Sequence, residues 1–461
     1  MTTRSKPLAV MAVATLLVGG GALLLRGDGD GPPDRRGAGR SSGPAGLEEQ
    51  VTPEAVHAHL VEFQQFADEG DGNRSTGTEG HEASVDYVAG LLEGAGYDVD
   101  LQEFSAPVYT ERTPSRLALE GTPRRPLEHG RDFVALLYSA PGRATARVTP
   151  VNFEAAAQSR TDVEGACDPA AFSSFPSGDI ALVQTAATCF ARDQVVNAVA
   201  AGAAAVIVSY LPEFDTERGI PRATLISPDG ITAPVIAVTP EVGLRLFGMA
   251  PRPRVSLAVH GRTETVTTRN VIAQLGPTER VVMAGAHLDS VLDGPGINDN
   301  GSGSAALLEV ALQLADERLR AGVRFAFWSG EEYGLLGSRH YIELLTPELK
   351  AATRVYLNFD MVGSPNFGRY IYEDGGRGRA TELFEGYFAR RGLTAETLDL
   401  QGRSDHGSFL SAGIPVGGLF TGAETALTAR EAEMFEGRAG RPADSCYHLG
   451  CDDIDNVNRR A

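Results

Sequence analysis

The 461-residue sequence predicts an α/β protein: a mostly parallel central sheet with helices on both faces, plus an inserted β-rich domain. Three observations predict this. Beyond residue 268 the runs VVMAGAH, VRFAFWS and RVYLNFD are continuously apolar, the pattern of parallel strands buried on both faces. Helical stretches alternate with those runs, as in βα units. From about 114 to 262 the texture changes to short β-like runs (ALVQT, AVIVSY, APVIAV) separated by Pro, Gly and Asp, with one Ala-rich helical stretch at 192–204.

The elements follow in order. Arg4 and Lys6 precede an apolar run at 7–25, which reads as a signal peptide or, uncleaved, as an N-terminal anchor. Residues 26–47 are Gly, Pro, Arg and Asp with almost no apolar side chain, the composition of a disordered linker. Order is expected from Thr52-Pro53-Glu54, an N-cap, a first-turn proline and an acidic residue. Val56, Leu60, Phe63 and Phe66 then mark one helix face, and Val85, Val88, Leu91 and Leu92 mark a second helix over 82–92. Gly94 and Gly96 stop it, and 97–104 alternates like a strand. A further helix is expected over 304–318. The domain plan is therefore 1–25 leader, 26–47 linker, 48–113 with 263–461 as one discontinuous domain, and 114–262 as the insert.

A net charge of −19 argues against nucleic acid or an anionic membrane as a partner, leaving the N-terminal segment as the one membrane element. The body of the protein is expected outside the cytoplasm, secreted or anchored. Four cysteines in an exported chain suggest two disulfides; the local pairing, Cys167 with Cys189 and Cys446 with Cys451, is favoured among three possible.

Five residues in the second half read as one metal site: His287, Asp299, Glu332, Asp360 and His448. Two imidazoles and three carboxylates form an N/O ligand set that suits a pair of zinc ions. His287, Glu332 and Asp360 lie at or just after the ends of the three apolar runs, where open α/β sheets form their sites. Asp289, two residues from His287, can orient the imidazole from behind. Asp299 offers two oxygens in the Gly- and Asn-rich loop GINDNGSG and can bridge two ions. Glu331, adjacent to Glu332, supplies the spare carboxylate that can take a proton from an activated water and pass it to a leaving amine. His448 follows Tyr447 inside the short Cys446–Cys451 span, and the tyrosine hydroxyl can steady an oxyanion. Singly each motif has a bland reading: a common His-x-Asp triplet, a turn aspartate, an acidic helix start. The ordered set at strand ends carries the assignment. His406, in GRSDHGSF, is the one other histidine in a suggestive context. The acidic run Asp452, Asp453 and Asp455 reads as a candidate Ca2+ site or as a solvated turn.

With these motifs in hand, the chain resembles the co-catalytic zinc aminopeptidases, the family of the secreted bacterial leucine aminopeptidases. The resemblance covers roughly 48–113 and 265–458, through NRSTGTEGHEASVDYVAGLLEGAGY, GAHLDSVLDGPGINDNGSG, GEEYGLLGS, NFDMVGS, GRSDHGSFLSAGIPVGGLFTGAE and DSCYHLGCD. It implies a zinc-exopeptidase fold and two Zn2+ per chain, His287 and Asp360 on one, Glu332 and His448 on the other, Asp299 bridging. It implies Glu331 as general base, Tyr447 polarising the carbonyl, Arg403 near the substrate amino terminus, and Met361 and Phe420 lining the pocket for the first side chain. It also makes Asp299–Asn300 a candidate cis peptide. The segment DIALVQTAATCFARDQVVNAVAAGAAAVIV is similar to a protease-associated domain, a module that usually serves as lid or specificity accessory. One departure stands out: family members usually continue past the last ligand into a C-terminal helix, and this sequence stops at Ala461, so His448 is expected to be the most loosely held ligand.

The function expected is removal of an N-terminal residue, Leu or another large apolar one, from peptides with a free N-terminus. The sequence does not fix the oligomeric state. The alternatives are a metallo-carboxypeptidase or dipeptidase on a related fold, a one-zinc glutaminyl cyclase, and a receptor-like homologue without activity. The related carboxypeptidases commonly insert their extra domain after the glutamates, here it precedes His287, and inactive homologues usually lack a ligand.

Overall fold

The computed structural model describes residues 46–121, 126–214, 216–373 and 375–461. The leader and nearly all of the linker lie outside the described residues. Order begins earlier than Thr52, in a single helical turn at Leu47–Gln50 that buries Leu47. Thr52 then caps helix α1 (Pro53–Glu69), its hydroxyl accepting from the Ala55 N–H at 3.1 Å. Helix α2 spans Glu79–Gly94, starting three residues before the expected 82 because Thr78 is its N-cap.

Among the described residues two sheets form. The larger has eight strands: β1 (Asp98–Thr110), β9 (Arg262–Leu275), β10 (Val281–His287), β11 (Gly322–Trp328), β12 (Thr353–Phe359), β13 (Tyr370–Tyr372), β14 (Glu396–Leu398) and β15 (Val416–Phe420). Its order is β1-β9-β11-β10-β12-β15-β13-β14. The four central strands, β11, β10, β12 and β15, are mutually parallel. Antiparallel pairings flank them, β1 with β9 and β13 with β15.

The continuous apolar runs are explained by burial on both faces. One face of the sheet packs on α1, α2 and α5 (Gly303–Leu314), with Leu60, Phe63, Val88, Leu92 and Leu308 against Ala284, Phe325 and Leu357. The other face stacks Met283, Trp328 and Tyr356 against Tyr341 and Phe409. At Gly285 the strands and this aromatic layer press so close that a Cβ would lie 2.4 Å from the Tyr356 hydroxyl. The α5 helix ends at Leu314, four residues short of the expected 318.

The insert has its own seven-stranded sheet, built from β2 (Arg116–Leu119), β3 (Phe133–Ala135), β4 (Gly142–Pro150), β5 (Ile180–Gln184), β6 (Ala205–Ser209), β7 (Val235–Val238) and β8 (Arg254–Val259). Helices α3 (Ala191–Ala200) and α4 (Pro240–Gly248) pack on it. The helix expected to reach 204 stops at Ala200, because Gly202 at φ +86° turns the chain toward β6, a fully buried strand. The insert is not a separate globule. β1 runs six residues beyond the expected 104, pairing with β9 along its whole length, and these two strands carry the chain into and out of the insert. The insert core also takes in Phe104 and Ala106 from β1, and Tyr333 from the loop after β11. No helix among the described residues is long and apolar enough to cross a membrane.

Candidate metal centre

Three parallel strands end side by side and deliver the first groups. His287 is the last residue of β10 and pairs in register with Trp328, the last of β11. Glu331 and Glu332 follow β11 by one tight turn, and Asp360 follows β12 directly. Asp299 comes from the loop ahead of α5, where the Asp299–Asn300 peptide is cis. That loop turns through Gly296 at φ +60°, where an added Cβ would sit 2.3 Å from the Asp299 carbonyl. His448 comes from the Cys446–Cys451 loop.

The five candidate ligands converge as two groups that share Asp299, and His287 also groups with Glu331 and Glu332. His287 Nε2 lies 3.2 Å from Asp299 Oδ1 and 3.5 Å from Asp360 Oδ1. His448 Nε2 lies 3.1 Å from Asp299 Oδ2 and 3.1 Å from Glu332 Oε2. The two oxygens of one carboxylate thus face different imidazoles, and each group contains donor atoms within 4.8 Å of one another. Glu332 Oε1 and Asp360 Oδ1 are buried with no hydrogen-bond donor. A buried carboxylate oxygen without a donor is costly unless a cation meets it, so this donor set fits a divalent metal.

The supporting contacts set the ligand orientations. His287 Nδ1 is 3.0 Å from the Asp289 carbonyl oxygen, which can only accept; Nδ1 therefore carries a proton, and Nε2 is the nitrogen turned to the cluster. Asp289 thus orients the imidazole through its backbone. Its carboxylate stands behind the same nitrogen, Oδ1 3.7 Å from Nδ1, and accepts the Glu331 N–H at 3.2 Å. Asp360 Oδ2 accepts from the Ser404 hydroxyl at 2.6 Å, and Asn358 in turn donates to Ser404 at 2.8 Å.

The charges are crowded. Burial would lower His287, but Asp360 and Glu331 outweigh it and raise the imidazole well above its usual value; burial and then chiefly Glu332 and Asp299 act in the same opposed way on His448, which is also raised. Burial pushes Glu331 up, helped by the Glu332, Asp405 and Asp360 carboxylates against the pull of His287. Burial likewise lifts Glu332 to about 7. Carboxylates in this setting call for concentrated positive charge.

The remaining expected residues fall as follows. Met361, at φ +51°, follows Asp360, and its carbonyl accepts the N–H of Thr421, the residue after Phe420, at 2.9 Å. Met361 and Phe420 thereby lie on adjoining strand ends. The Tyr447 ring stacks on His448, with centroids 3.8 Å apart. Arg403 donates to Glu424 at 3.1 Å and interacts with Tyr447. His406 is buried against Tyr372 and belongs to neither metal group. The cysteines form Cys167–Cys189 and Cys446–Cys451.

Two expectations are overturned. Asp452, Asp453 and Asp455 do not converge on a Ca2+ site: Asp452 accepts the Asn298 and Asp299 N–H groups, both at 2.9 Å, while Asp453 caps a short turn at Asp455. Nor does the segment after His448 hang loosely. Besides the Asp452 side chain, the Asp452 carbonyl accepts from Ile297 at 2.9 Å, Ile454 donates to Gln64 at 3.0 Å, and Asn458 donates to Gly363 at 2.8 Å. These bonds hold His448 at φ +57° and lock its loop to the one that carries Asp299.

Sequence reasoning missed three contributors. Arg74, fully buried, donates to the carbonyls of Leu288, Pro295 (3.1 Å) and Gly296 (2.7 Å), clamping both ends of the loop between His287 and Asp299. Ser404 orients Asp360, and Glu424 pairs with Arg403. Arg74 and Ser404 stand inside the motifs NRSTG and GRSDH, so a polar residue embedded among ligand motifs was the available signal.

A parallel α/β sheet with an imidazole–carboxylate cluster at its carboxyl end defines a metallohydrolase. Comparison with known proteins makes this particular. The pattern of peptidase family M28 matches residues 270–461, and that of the PA domain matches 148–246. An aminopeptidase of Pseudomonas aeruginosa is 41% identical over 432 residues, covering 91% of this chain and 80% of that one. The solved aminopeptidase from Aneurinibacillus sp. strain AM-1 superposes with a TM-score of 0.69 at 25% identity, over 89% of this chain and 90% of that one. A zinc aminopeptidase from Bacillus subtilis shares the fold at a TM-score of 0.65 and 24% identity, over 89% and 91%. The chain belongs to peptidase family M28, with a PA domain inserted in the peptidase fold.

Proposed function

We propose that this protein is an exported aminopeptidase that removes an N-terminal Leu or other large apolar residue from peptides, using two zinc ions that share Asp299. The observation that carries this is the division of Asp299, Oδ1 toward His287 and Asp360, Oδ2 toward His448 and Glu332. Zinc at these positions would supply the Lewis acidity that makes water a nucleophile at neutral pH and polarises the scissile carbonyl. His287 and Asp360 would hold one ion, and Glu332 and His448 the other.

The chain's own groups do the rest. Glu331 takes the proton from the attacking water and returns it to the leaving amine. Its burial and carboxylate neighbours favour the proton-holding form, which suits the second half of that task. The Tyr447 hydroxyl, beside Arg403, stabilises charge on the carbonyl oxygen. Met361 and Phe420 give the first side chain an apolar wall. Two disulfides fit a protein whose body works outside the cytoplasm.

The test is hydrolysis of leucine p-nitroanilide by purified, zinc-supplemented protein, beside the N-acetylated compound. Cleavage of the free amine alone supports the proposal. A folded protein that cleaves neither, or that cleaves the blocked substrate equally well, would sink it.

A further inference from the structure

The inserted domain is fastened to the loops that build the metal centre. Arg222 of the insert donates to both carboxylate oxygens of Asp293, at 2.7 and 3.2 Å, in the loop between His287 and Asp299. Tyr138 donates to the carbonyl of Tyr333, one residue beyond Glu332, at 2.8 Å. With these anchors the insert is a fixed wall of the centre.

One side chain of that wall reaches further. The N–H and Nε of Arg160 both donate to Glu213, at 2.8 and 2.9 Å, and its guanidinium lies 5.0 Å over the Phe214 ring. The insert therefore sets the direction of Arg160 by itself. That direction brings Nη2 to 3.8 Å from Glu424 Oε1, across the domain boundary. Glu424 is 8% exposed, and the same oxygen accepts from Arg403 at 3.1 Å. A carboxylate so withdrawn from water needs compensating charge, and Arg160 adds a second guanidinium to that of Arg403. Arg403 is in turn the neighbour of Tyr447.

We propose that Arg160 is a positioning residue for catalysis, contributed by the inserted domain: it fixes Glu424, Glu424 fixes Arg403, and Arg403 holds Tyr447 on the scissile carbonyl. This rests on the aminopeptidase reading and on the role given there to Tyr447. Misplacement of a reacting group by about 1 Å can cost roughly 100-fold in rate, which sets the scale.

The experiment uses the full-length, zinc-loaded protein and leucine p-nitroanilide, with Arg160→Ala, Arg160→Lys, Tyr447→Phe and the Arg160→Ala/Tyr447→Phe double variant. Arg160→Ala should keep its zinc and its KM but lose about 10- to 100-fold in kcat. Arg160→Lys, which keeps the charge, should recover most of that. In the Tyr447→Phe background Arg160→Ala should cost nothing further, since both act through one group. Wild-type kcat in Arg160→Ala, or an equal loss in both backgrounds, overturns the proposal. A slow Tyr447→Phe beside a full-rate Arg160→Ala defeats the Arg160 link alone. A full-rate Tyr447→Phe defeats the Tyr447 role and this proposal with it. Should Arg160→Ala not fold, Glu424→Gln probes the same link from the other side: it should be equally slow, and full rate in it overturns the proposal.

Discussion

Glu331→Gln separates the proposed general base from the proposed metal ligands. The backbone at this position is held independently of the side chain: its N–H donates to Asp289 at 3.2 Å, and its carbonyl accepts from Gly334 at 2.8 Å and Leu335 at 2.9 Å. Gln keeps the volume, so the turn that aims Glu332 survives the exchange. What disappears is a proton acceptor, together with one negative charge in a cluster where Glu332, Asp405 and Asp360 already crowd it. Loss of a positioned general base lowers rates about 10²- to 10⁴-fold, or about 2.7–5.4 kcal/mol of transition-state stabilisation. The assay is steady-state hydrolysis of leucine p-nitroanilide, with zinc content and melting temperature measured on the same preparation. The expected outcome is full zinc, an unchanged or slightly raised melting temperature, and a kcat reduced within that range at nearly constant KM. An undiminished kcat would refute the base assignment, and loss of zinc would show that Glu331 is a ligand.

Two further predictions concern the scaffold. Phe63 is fully buried, packs edge-on against Tyr87 at 6.0 Å, and lies 5.0 Å from the Arg74 guanidinium. Phe63→Ala should destabilise the protein by about 3–5 kcal/mol, read from denaturant midpoints, and an unshifted midpoint contradicts this. Glu111, at the junction of β1 and the insert, is raised by burial but brought down overall to about 2, chiefly by His129, Arg222 and Ser115. A folded-state value below the unfolded one means its stabilisation is complete above about pH 4.5 and is lost as pH falls toward 2. Wild type should therefore lose more melting temperature between pH 5.5 and pH 3 than Glu111→Gln does, and equal losses count against the assignment.

The sequence made the sheet legible because parallel strands buried on both faces must be apolar throughout, and β10, β11 and β12 leave that mark without help from neighbours. The positions of His287, Glu332 and Asp360 at their ends followed from the same marks. Element ends were less legible: Thr78 capped α2 earlier than its apolar stripe suggested, and β1 continued to Thr110 because β9, more than 150 residues later, pairs with it. The buried clamp of Arg74 on three carbonyls has no local pattern, since its partners are contributed by the loop at 288–296. Arg160 lies in the insert and Glu424 in the peptidase domain, far apart in sequence, and nothing periodic links them. The loose C-terminus expected for His448 was wrong for the same reason: the bonds that hold it run to Asn298, Asp299, Gln64 and Gly363, all distant in sequence.

The central claim is a pair of ions joined by one aspartate. The most direct test is elemental analysis of zinc per chain, after exhaustive dialysis, in wild type and in Asp299→Ala. The shared geometry predicts two zinc ions in wild type and fewer than one in the variant, because removal of the bridge takes a ligand from both groups at once. One zinc per wild-type chain, or two retained by Asp299→Ala, would contradict it.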